Sequence, residues 1–399
     1  MGDPSPGLLV AFDATPLLGV RTGVGEFVAG ALGAMEKMSG DITIRPYAVS
    51  LGGRAKLRAQ VHGGTEAAGS LLPARALHRS WAWFGHPVVE RWTGPLDVVH
   101  GTNYVVPPVR SAQRVVSIHD MAMFVKPEVC TKATLAVRGL LSSAVRQGAW
   151  VATPSQAVAE EVMELLGPEP SRVVVVPYGV PTLPTLPTLP PSAAFGPGGV
   201  DAGPANALRQ TPPAALPRGP FVLALGRVEP RKGLENLVRA FGLLAPTHPD
   251  LTLVVAGPDG WGAEAFEEAL RACPHRARIA RLGHVDGATR AALLERAAVF
   301  AFPSLYEGFG FPPLEAMAAG TPVVATTAGA LPEVLGDAAL LVAPGDFREL
   351  AAGIELLLDD EVLREDMVTR GRTRVELYSW DRTAESLVKL YRDARESGS

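Results

Sequence analysis

The chain has 399 residues, 47% of them hydrophobic, and 37 basic against 41 acidic side chains give a net charge of −4. That length and apolar content exclude a solvated coil and suit two domains of the usual size, about 100–200 residues each. The charge balance excludes the basic excess typical of nucleic-acid binding, and the two distant cysteines, Cys130 and Cys273, exclude a disulfide framework or a cysteine metal site.

Short β-branched runs alternate with helical patterns from end to end. The strands expected in the first half are Leu8–Ala14, Ile42–Ser50, Leu96–Thr102, Arg114–Asp120, Trp150–Ser155 and Arg172–Pro177. Most are nearly continuous apolar runs, as parallel strands covered on both faces should be. Helical patterns fall between them, among them Thr131–Arg146 and Gln156–Leu166, the second with Ser155 as its cap. Twelve of the 36 prolines then crowd between Pro177 and Pro220, where Thr-Leu-Pro repeats from Pro181 to Pro190. The rhythm restarts with strands at Phe221–Gly226, Leu251–Gly257, Arg278–Gly283, Val299–Pro303, Pro322–Thr327 and Ala339–Val342. The helices between them are Leu234–Leu244, Glu264–Ala272, Ala288–Ala297, Pro312–Ala319 and Phe347–Leu358.

The expected organisation is therefore α/β throughout. One doubly wound, Rossmann-like domain covers residues 1–180, a proline-rich linker or surface excursion covers 181–218, and a second Rossmann-like domain covers 219–378. The remaining stretch, 379–399, reads as a helix packing back on the first domain. The hinge is expected near Val180 or Gly219, with the proline repeat outside it. Such domains bind small ligands at the carboxyl ends of their strands, and a cleft between those ends is the expected site. The longest apolar runs fall short of a membrane span, and the first basic residue is Arg21, so no signal peptide is expected and the protein reads as cytoplasmic.

The strand-end loops carry the chemistry. After the first strand comes Gly19-Val-Arg-Thr-Gly23-Val-Gly25-Glu26, a tight turn or a ligand loop. Residues 51–93 hold Arg54, Lys56, Arg58, Arg75, Arg79 and Arg91 against Glu66 and Glu90, with Trp81, Trp83 and Trp92 among them. This basic, aromatic stretch suits an anionic acceptor or an acidic membrane surface, or else an ordinary helix pair with its aromatics inward. His119-Asp120 closes a strand, where a histidine is a sugar contact, a proton handler or a structural group. Leu225-Gly226-Arg227-Val-Glu-Pro-Arg231-Lys232-Gly233 puts cations on a turn that fits a diphosphate or is merely solvated.

The densest constellation runs from Pro303 through Tyr306-Glu307-Gly-Phe-Gly-Phe-Pro-Pro-Leu-Glu315 to Pro322. Here a strand ends, a glycine loop follows, and two prolines sit where a helix would begin, leaving Glu307 in the loop and Glu315 in the first turn. Read alone, Glu315 complements a helix dipole and Glu307 is a loop carboxylate; beside an anion site, both would accept hydrogen bonds from ligand hydroxyls. The sequence has no Gly-x-x-x-x-Gly-Lys-Ser/Thr loop, no Gly-x-Ser-x-Gly elbow, no His-Glu-x-x-His site and no Asp-x-Asp pair.

Together these residues resemble the retaining glycosyltransferases of family 4. The second-domain signature Tyr306-Glu307-Gly-Phe-Gly-Phe-Pro-Pro-Leu-Glu315-Ala-Met-Ala carries most of the resemblance. It is joined by Gly226-Arg227 with Arg231-Lys232-Gly233, Val176-Pro-Tyr-Gly-Val180, Ile118-His119-Asp120, the Gly23/Gly25 loop and Tyr378-Ser-Trp380.

The resemblance implies the GT-B fold, with two Rossmann-like domains facing across a cleft, the first for the acceptor and the second for a nucleotide-sugar. It implies Arg227 and Lys232 at the diphosphate, Gly23 and Gly25 closing over it, and Glu307 with the amides of Gly308, Phe309, Gly310 and Phe311 on the donor sugar. Glu315 would take the ribose, His119 would lie by the transferring sugar, and the base would lie near Gly257 and Val285. Asn103 and Tyr104, in His-Gly-Thr-Asn-Tyr, resemble the acceptor side of polysaccharide and mannosyl transferases, so GDP-mannose is favoured over UDP-sugars. Tyr178 stands where the family usually has Asn. No cofactor or metal is expected beyond the donor, and the acceptor is a glycan, a lipid-linked sugar or a small molecule, with peripheral membrane contact open. The alternatives are a nicotinamide-dependent dehydrogenase on paired Rossmann domains, which lacks its Gly-x-Gly-x-x-Gly fingerprint here, and a non-enzymatic two-lobed sugar-binding protein.

Overall fold

The computed structural model describes residues 7–19, 21–38, 42–51, 53–58, 67–70, 72–181, 217 and 219–398. The Thr-Leu-Pro repeat and the rest of the expected excursion, residues 182–216, lie outside them. The chain divides into two compact units, one of residues 1–181 with 378–399 and the other of residues 182–377.

In the first unit the described strands are β1 (Leu8–Asp13), β2 (Ile42–Ala48), β3 (Ala68–Gly69), β4 (Val98–Gly101), β5 (Gln113–Ser117), β6 (Trp150–Thr153) and β7 (Val173–Val175). They form one parallel sheet in the order β3-β2-β1-β4-β5-β6-β7. The two-residue β3 is too short for a hydrophobic run to announce it, and it was not expected. The pattern over 131–146 splits into two helices, Lys132–Ala136 and Arg138–Arg146, with Val137 at the break. Side chains of Tyr47, Leu77, Val99, Val116, Ile118 and Leu141 build the core on one face of the sheet.

The C-terminal helix Trp380–Glu396 belongs to this unit and packs along the helix Gly23–Met35. Two glycines make its seat, since a Cβ on Gly30 would meet the Trp380 ring at 2.2 Å and one on Gly179 would meet the Trp380 backbone nitrogen at 2.4 Å. Further along the same helix, the Tyr391 hydroxyl reaches Nδ1 of the fully buried His100 at 2.7 Å, while His100 Nε2 lies 2.8 Å from Ser117 Oγ. Burial pulls His100 down to about 3, with the neighbouring His119 adding to the effect, so the imidazole is a neutral link between helix and sheet.

In the second unit the strands are β8 (Phe221–Leu225), β9 (Thr252–Ala256), β10 (Ile279–Gly283), β11 (Val299–Phe302), β12 (Val323–Thr326) and β13 (Leu340–Val342). Their order, β10-β9-β8-β11-β12-β13, is again all parallel. Every residue of β8 and β11 is buried, which is why these strands read as unbroken apolar runs. In both sheets the strand order reverses once, between β1 and β4 and between β8 and β11. Ligands of open α/β sheets bind outside the carboxyl ends of strands at such a reversal.

Candidate active site

At the reversal of the second sheet, β8 runs out through Gly226 into the turn Pro230–Lys232, and β11 runs out through Ser304 towards Glu307. Gly233 closes the turn at φ +58°, where a Cβ would meet the Pro303 carbonyl oxygen at 2.3 Å. No other residue fits there, so the glycine fixes where its neighbour Lys232 points. Lys232 Nζ lies 2.5 Å from Glu307 Oε1 and 5.0 Å above the Phe302 ring. Arg231 joins the same carboxylate, its NH1 3.1 Å from Glu307 Oε2, and its other nitrogen reaches Glu229 at 3.3 Å. Burial alone would raise the Glu307 carboxyl, but Lys232 and then Arg231 overcome it and hold the group below the usual carboxylate range.

The structure thus joins Lys232 and Glu307 directly and adds Arg231, which the sequence placed in the motif without a role. Arg227 stands apart. It is exposed, and its guanidinium donates to the Asp259 carbonyl over 3.4 Å.

Beyond Glu307 the loop turns into the helix Phe311–Ala318 with Gly310 as its cap. Pro312 and Pro313 have no N–H to offer, so backbone donors at this helix start come from residues 308–311 and not from the two positions after Phe311. Glu315 falls one place beyond that first turn, which corrects the reading of it as a residue there. It is buried and paired with Arg290 of the helix Gly287–Arg296, so its charge is met by a side chain and not by the helix dipole. Sequence reasoning missed Arg290 altogether.

On the other side of β8, Gly257 follows β9 and donates its N–H to the Gly283 carbonyl at 2.7 Å. Its φ is +153°, and a Cβ would overlap the Gly226 carbonyl oxygen at 1.9 Å, so the loops after β8 and β9 touch through bare backbone. Val285, half-buried, follows the Gly283 turn. Gly226, Gly257 and the Gly283–Val285 turn therefore form one continuous backbone edge at the ends of β8, β9 and β10.

In the first unit, Gly23 opens the helix Gly23–Met35, and a Cβ on buried Gly25 would touch the Pro16 carbonyl at 3.4 Å. His119 follows β5 and is buried. Its Nε2–H donates to the Thr102 carbonyl at 2.7 Å, and its Nδ1 accepts from the Tyr178 hydroxyl at 2.7 Å. The carbonyl can only accept, so the tautomer follows from the geometry. Burial pulls the ring down to about 4 against the raising effects of Thr102 and Asp120. With both nitrogens committed and the ring neutral near pH 7, the proton-handling reading of His119 is corrected to that of a fixed, uncharged group. The departure at Tyr178 acquires a reason: its hydroxyl satisfies the Nδ1 that this tautomer leaves without a proton, while its ring lies 4.4 Å from Phe27.

Tyr104 packs edge-on against His119 at 5.5 Å, and with Asn103 it lines a cavity of about 340 Å³ that lies wholly within this unit. Asp13, at the carboxyl end of β1, lines it too. The sequence signal was the one that picked out His119, a titratable residue closing an apolar strand, and it was passed over. The stretch 51–93 resolves into more than inward aromatics. Trp81 is 7% exposed, Trp92 half-buried and Trp83 81% exposed. Next to Trp83 stands exposed Phe84, and Arg75 and Arg79 share the outer side of the same helix, Ala74–Phe84.

Two doubly wound parallel sheets, each with polar residues gathered at its strand reversal, are the architecture of the GT-B fold. Residues 211–374, which carry the second sheet, match the sequence model of the glycosyl transferases group 1 family. It is 28% identical over 297 residues to the O-antigen chain mannosyltransferase B of Escherichia coli, a match covering 74% of each protein. Other matched relatives are spanned over 26% to 58% of their own length. Among solved structures, the sucrose-phosphate synthase of Thermosynechococcus elongatus superposes with a TM-score of 0.70 at 20% identity, covering 98% of this chain and 100% of that one. The Anabaena protein HepE in complex with UDP-glucose gives 0.65 at 17% identity, covering 98% and 99%. The family match sets aside the dehydrogenase and the non-enzymatic binding protein. No helix among the described residues is long and apolar enough to cross a membrane.

Proposed function

We propose that the chain moves a hexosyl group, mannose from GDP-mannose first and a UDP-linked sugar second, to a hydroxyl acceptor with retention of configuration and without a bound divalent metal. The observation that carries this reading is the Arg231–Glu307–Lys232 cluster at the strand reversal of the second sheet. Cations placed there suit a diphosphate, and the carboxylate between them suits hydroxyls of the sugar it carries. The mannosyltransferase name of the E. coli relative and the UDP-glucose in the HepE structure support the two donor candidates.

In the proposed reaction the bond between the sugar C1 and the diphosphate oxygen breaks, and its electron pair leaves with the diphosphate. The acceptor oxygen bonds C1 on the same face, and its proton passes to the departing oxygen. Lys232 and Arg227 stabilise the charge that grows on the diphosphate. Glu307 and the amides of residues 308–311 hold the sugar, Glu315 takes the ribose, and the Gly257–Val285 edge takes the base. Gly23, Gly25 and His119 keep the positioning roles the family resemblance gives them.

The test is release of nucleoside diphosphate from a panel of nucleotide-sugars, with the anomeric configuration of the product read by NMR. Transfer with retention, unchanged by EDTA, is the expected outcome. Reversible loss on chelation overturns the metal-free step, and an inverted product overturns the mechanism.

Exposed Trp83 on the same side of the helix Ala74–Phe84 as Arg75 and Arg79, with exposed Phe84 at the helix end, supports peripheral contact with an acidic membrane. Wild type is expected to sediment with anionic vesicles and Trp83→Ala/Phe84→Ala to remain in solution. Equal sedimentation of both removes this face from the contact.

A further inference from the structure

Glu315 is 3% exposed and lies on the helix Phe311–Ala318. Its Oε2 accepts from the guanidinium of Arg290, the fourth residue of the helix Gly287–Arg296. That helix starts directly after the Gly283–Val285 turn, with Asp286 as its cap. The cap fixes the first turn that carries Arg290, since Asp286 Oδ1 accepts from the Thr289 amide at 2.7 Å and its carbonyl from the Arg290 amide at 2.9 Å. One side chain thus links the two places given to the nucleoside, the carboxylate for its ribose and the turn for its base.

The two helices have other anchors. Leu293 and Leu294 of the first and Leu314 and Met317 of the second are buried, and the Thr321 hydroxyl, just past the second, donates to the Leu294 carbonyl. Burying an ion pair gains a fold little over burying apolar side chains of similar size, whereas a buried carboxylate deprived of its cation is strongly disfavoured. The pair is also lopsided: the Glu315 side chain is 4% exposed and that of Arg290 37%. The arginine remains in reach of water while it offsets the burial of the carboxylate. Such an arrangement is expected where an ionised carboxylate is needed at that place, and less where the pair serves as a brace.

We infer that Arg290 is a positioning residue for nucleoside recognition, keeping Glu315 ionised and turned so that the carboxylate accepts from the ribose hydroxyls of the donor. The inference rests on the reading of Glu315 as the ribose ligand, and it adds the residue that makes this carboxylate usable. An ionised carboxylate is all acceptor, which suits a pair of neighbouring hydroxyls that both donate; a protonated one gives up part of that capacity. Arg290 acts through Glu315 and on the nucleoside alone, so its loss should raise the donor KM and leave kcat nearly intact.

The experiment measures Kd by calorimetry for whichever of UDP and GDP binds more tightly and for its 2′-deoxy and 3′-deoxy forms, with donor KM and kcat alongside. Wild type is expected to bind at least one deoxy form about 10- to 100-fold more weakly, the range of a hydrogen bond to a charged group. In Arg290→Ala the parent nucleotide is expected to fall to the affinity of that deoxy form, so that the discrimination shrinks to within about 3-fold, and Arg290→Lys should restore part of it. If Arg290→Ala does not fold, Arg290→Gln, which keeps the stem and removes the charge, carries the same comparison. A folded variant that discriminates as wild type does, whatever its overall affinity, overturns the inference and leaves Glu315 on the ribose. Equal binding of all three nucleotides by wild type overturns the ribose reading itself, and the inference with it.

Discussion

Lys232→Ala is expected to fold and to lose roughly 10²–10³ in kcat, the usual cost of removing one preorganised group that stabilises a developing anion. The lysine is half-buried with its ammonium held by Glu307 and lying over the Phe302 ring. Its charge is therefore fixed in place before a donor arrives, and no reorganisation is needed as charge builds on the leaving group. Lys232→Arg should rescue little, because a planar guanidinium does not fit where a compact ammonium sits 2.5 Å from the carboxylate.

Arg227→Ala supplies the contrast. It is expected to lose turnover of the same order with no loss of stability, since Arg227 is exposed and its one hydrogen bond among the described residues is to a backbone carbonyl. Nucleoside-diphosphate release and urea denaturation on the two variants decide the point. Near wild-type turnover of Lys232→Ala removes the catalytic assignment, and normal turnover of Arg227→Ala confines the site to the buried cluster.

Much of the fold was legible because parallel strands covered on both faces must be apolar along their whole length. Phe221–Leu225 and Val299–Phe302 announce themselves for that reason. Pro312 and Pro313 marked a helix start for an equally local reason. What escaped was either too short, as with β3, or dependent on pairing across the chain. Arg231 meets Glu307 across 76 positions and Arg290 meets Glu315 across 25, so neither pair has a local signal. The tryptophans of 51–93 show a different failure. Residues 81 and 83 are two steps apart on one helix, about 200° around it, so one must face in and the other out. Counting them as one aromatic stretch discarded that periodicity.

Glu307→Gln is expected to abolish transfer yet to gain more from nucleoside diphosphate in thermal stability than wild type does. Glu307 pairs with both Arg231 and Lys232, so a diphosphate that uses these cations must compete with a carboxylate already in place. Binding then exchanges one anion for another. The amide keeps the side chain's shape and removes its charge, leaving two half-buried cations without their shared partner. Breaking a buried pair on one side costs about 3–5 kcal/mol at the extreme, less here because Arg231 retains Glu229. Ligand-free Glu307→Gln should therefore melt below wild type. Because a ligand stabilises in proportion to its affinity for the folded form, UDP or GDP should recover most of that loss and give the variant the larger shift. Turnover should stay lost, because the carboxylate that holds the sugar hydroxyls has gone. Equal shifts in the two proteins would show that the diphosphate leaves Arg231 and Lys232 to Glu307, and a fully active Glu307→Gln would reduce the carboxylate to a brace for its own loop.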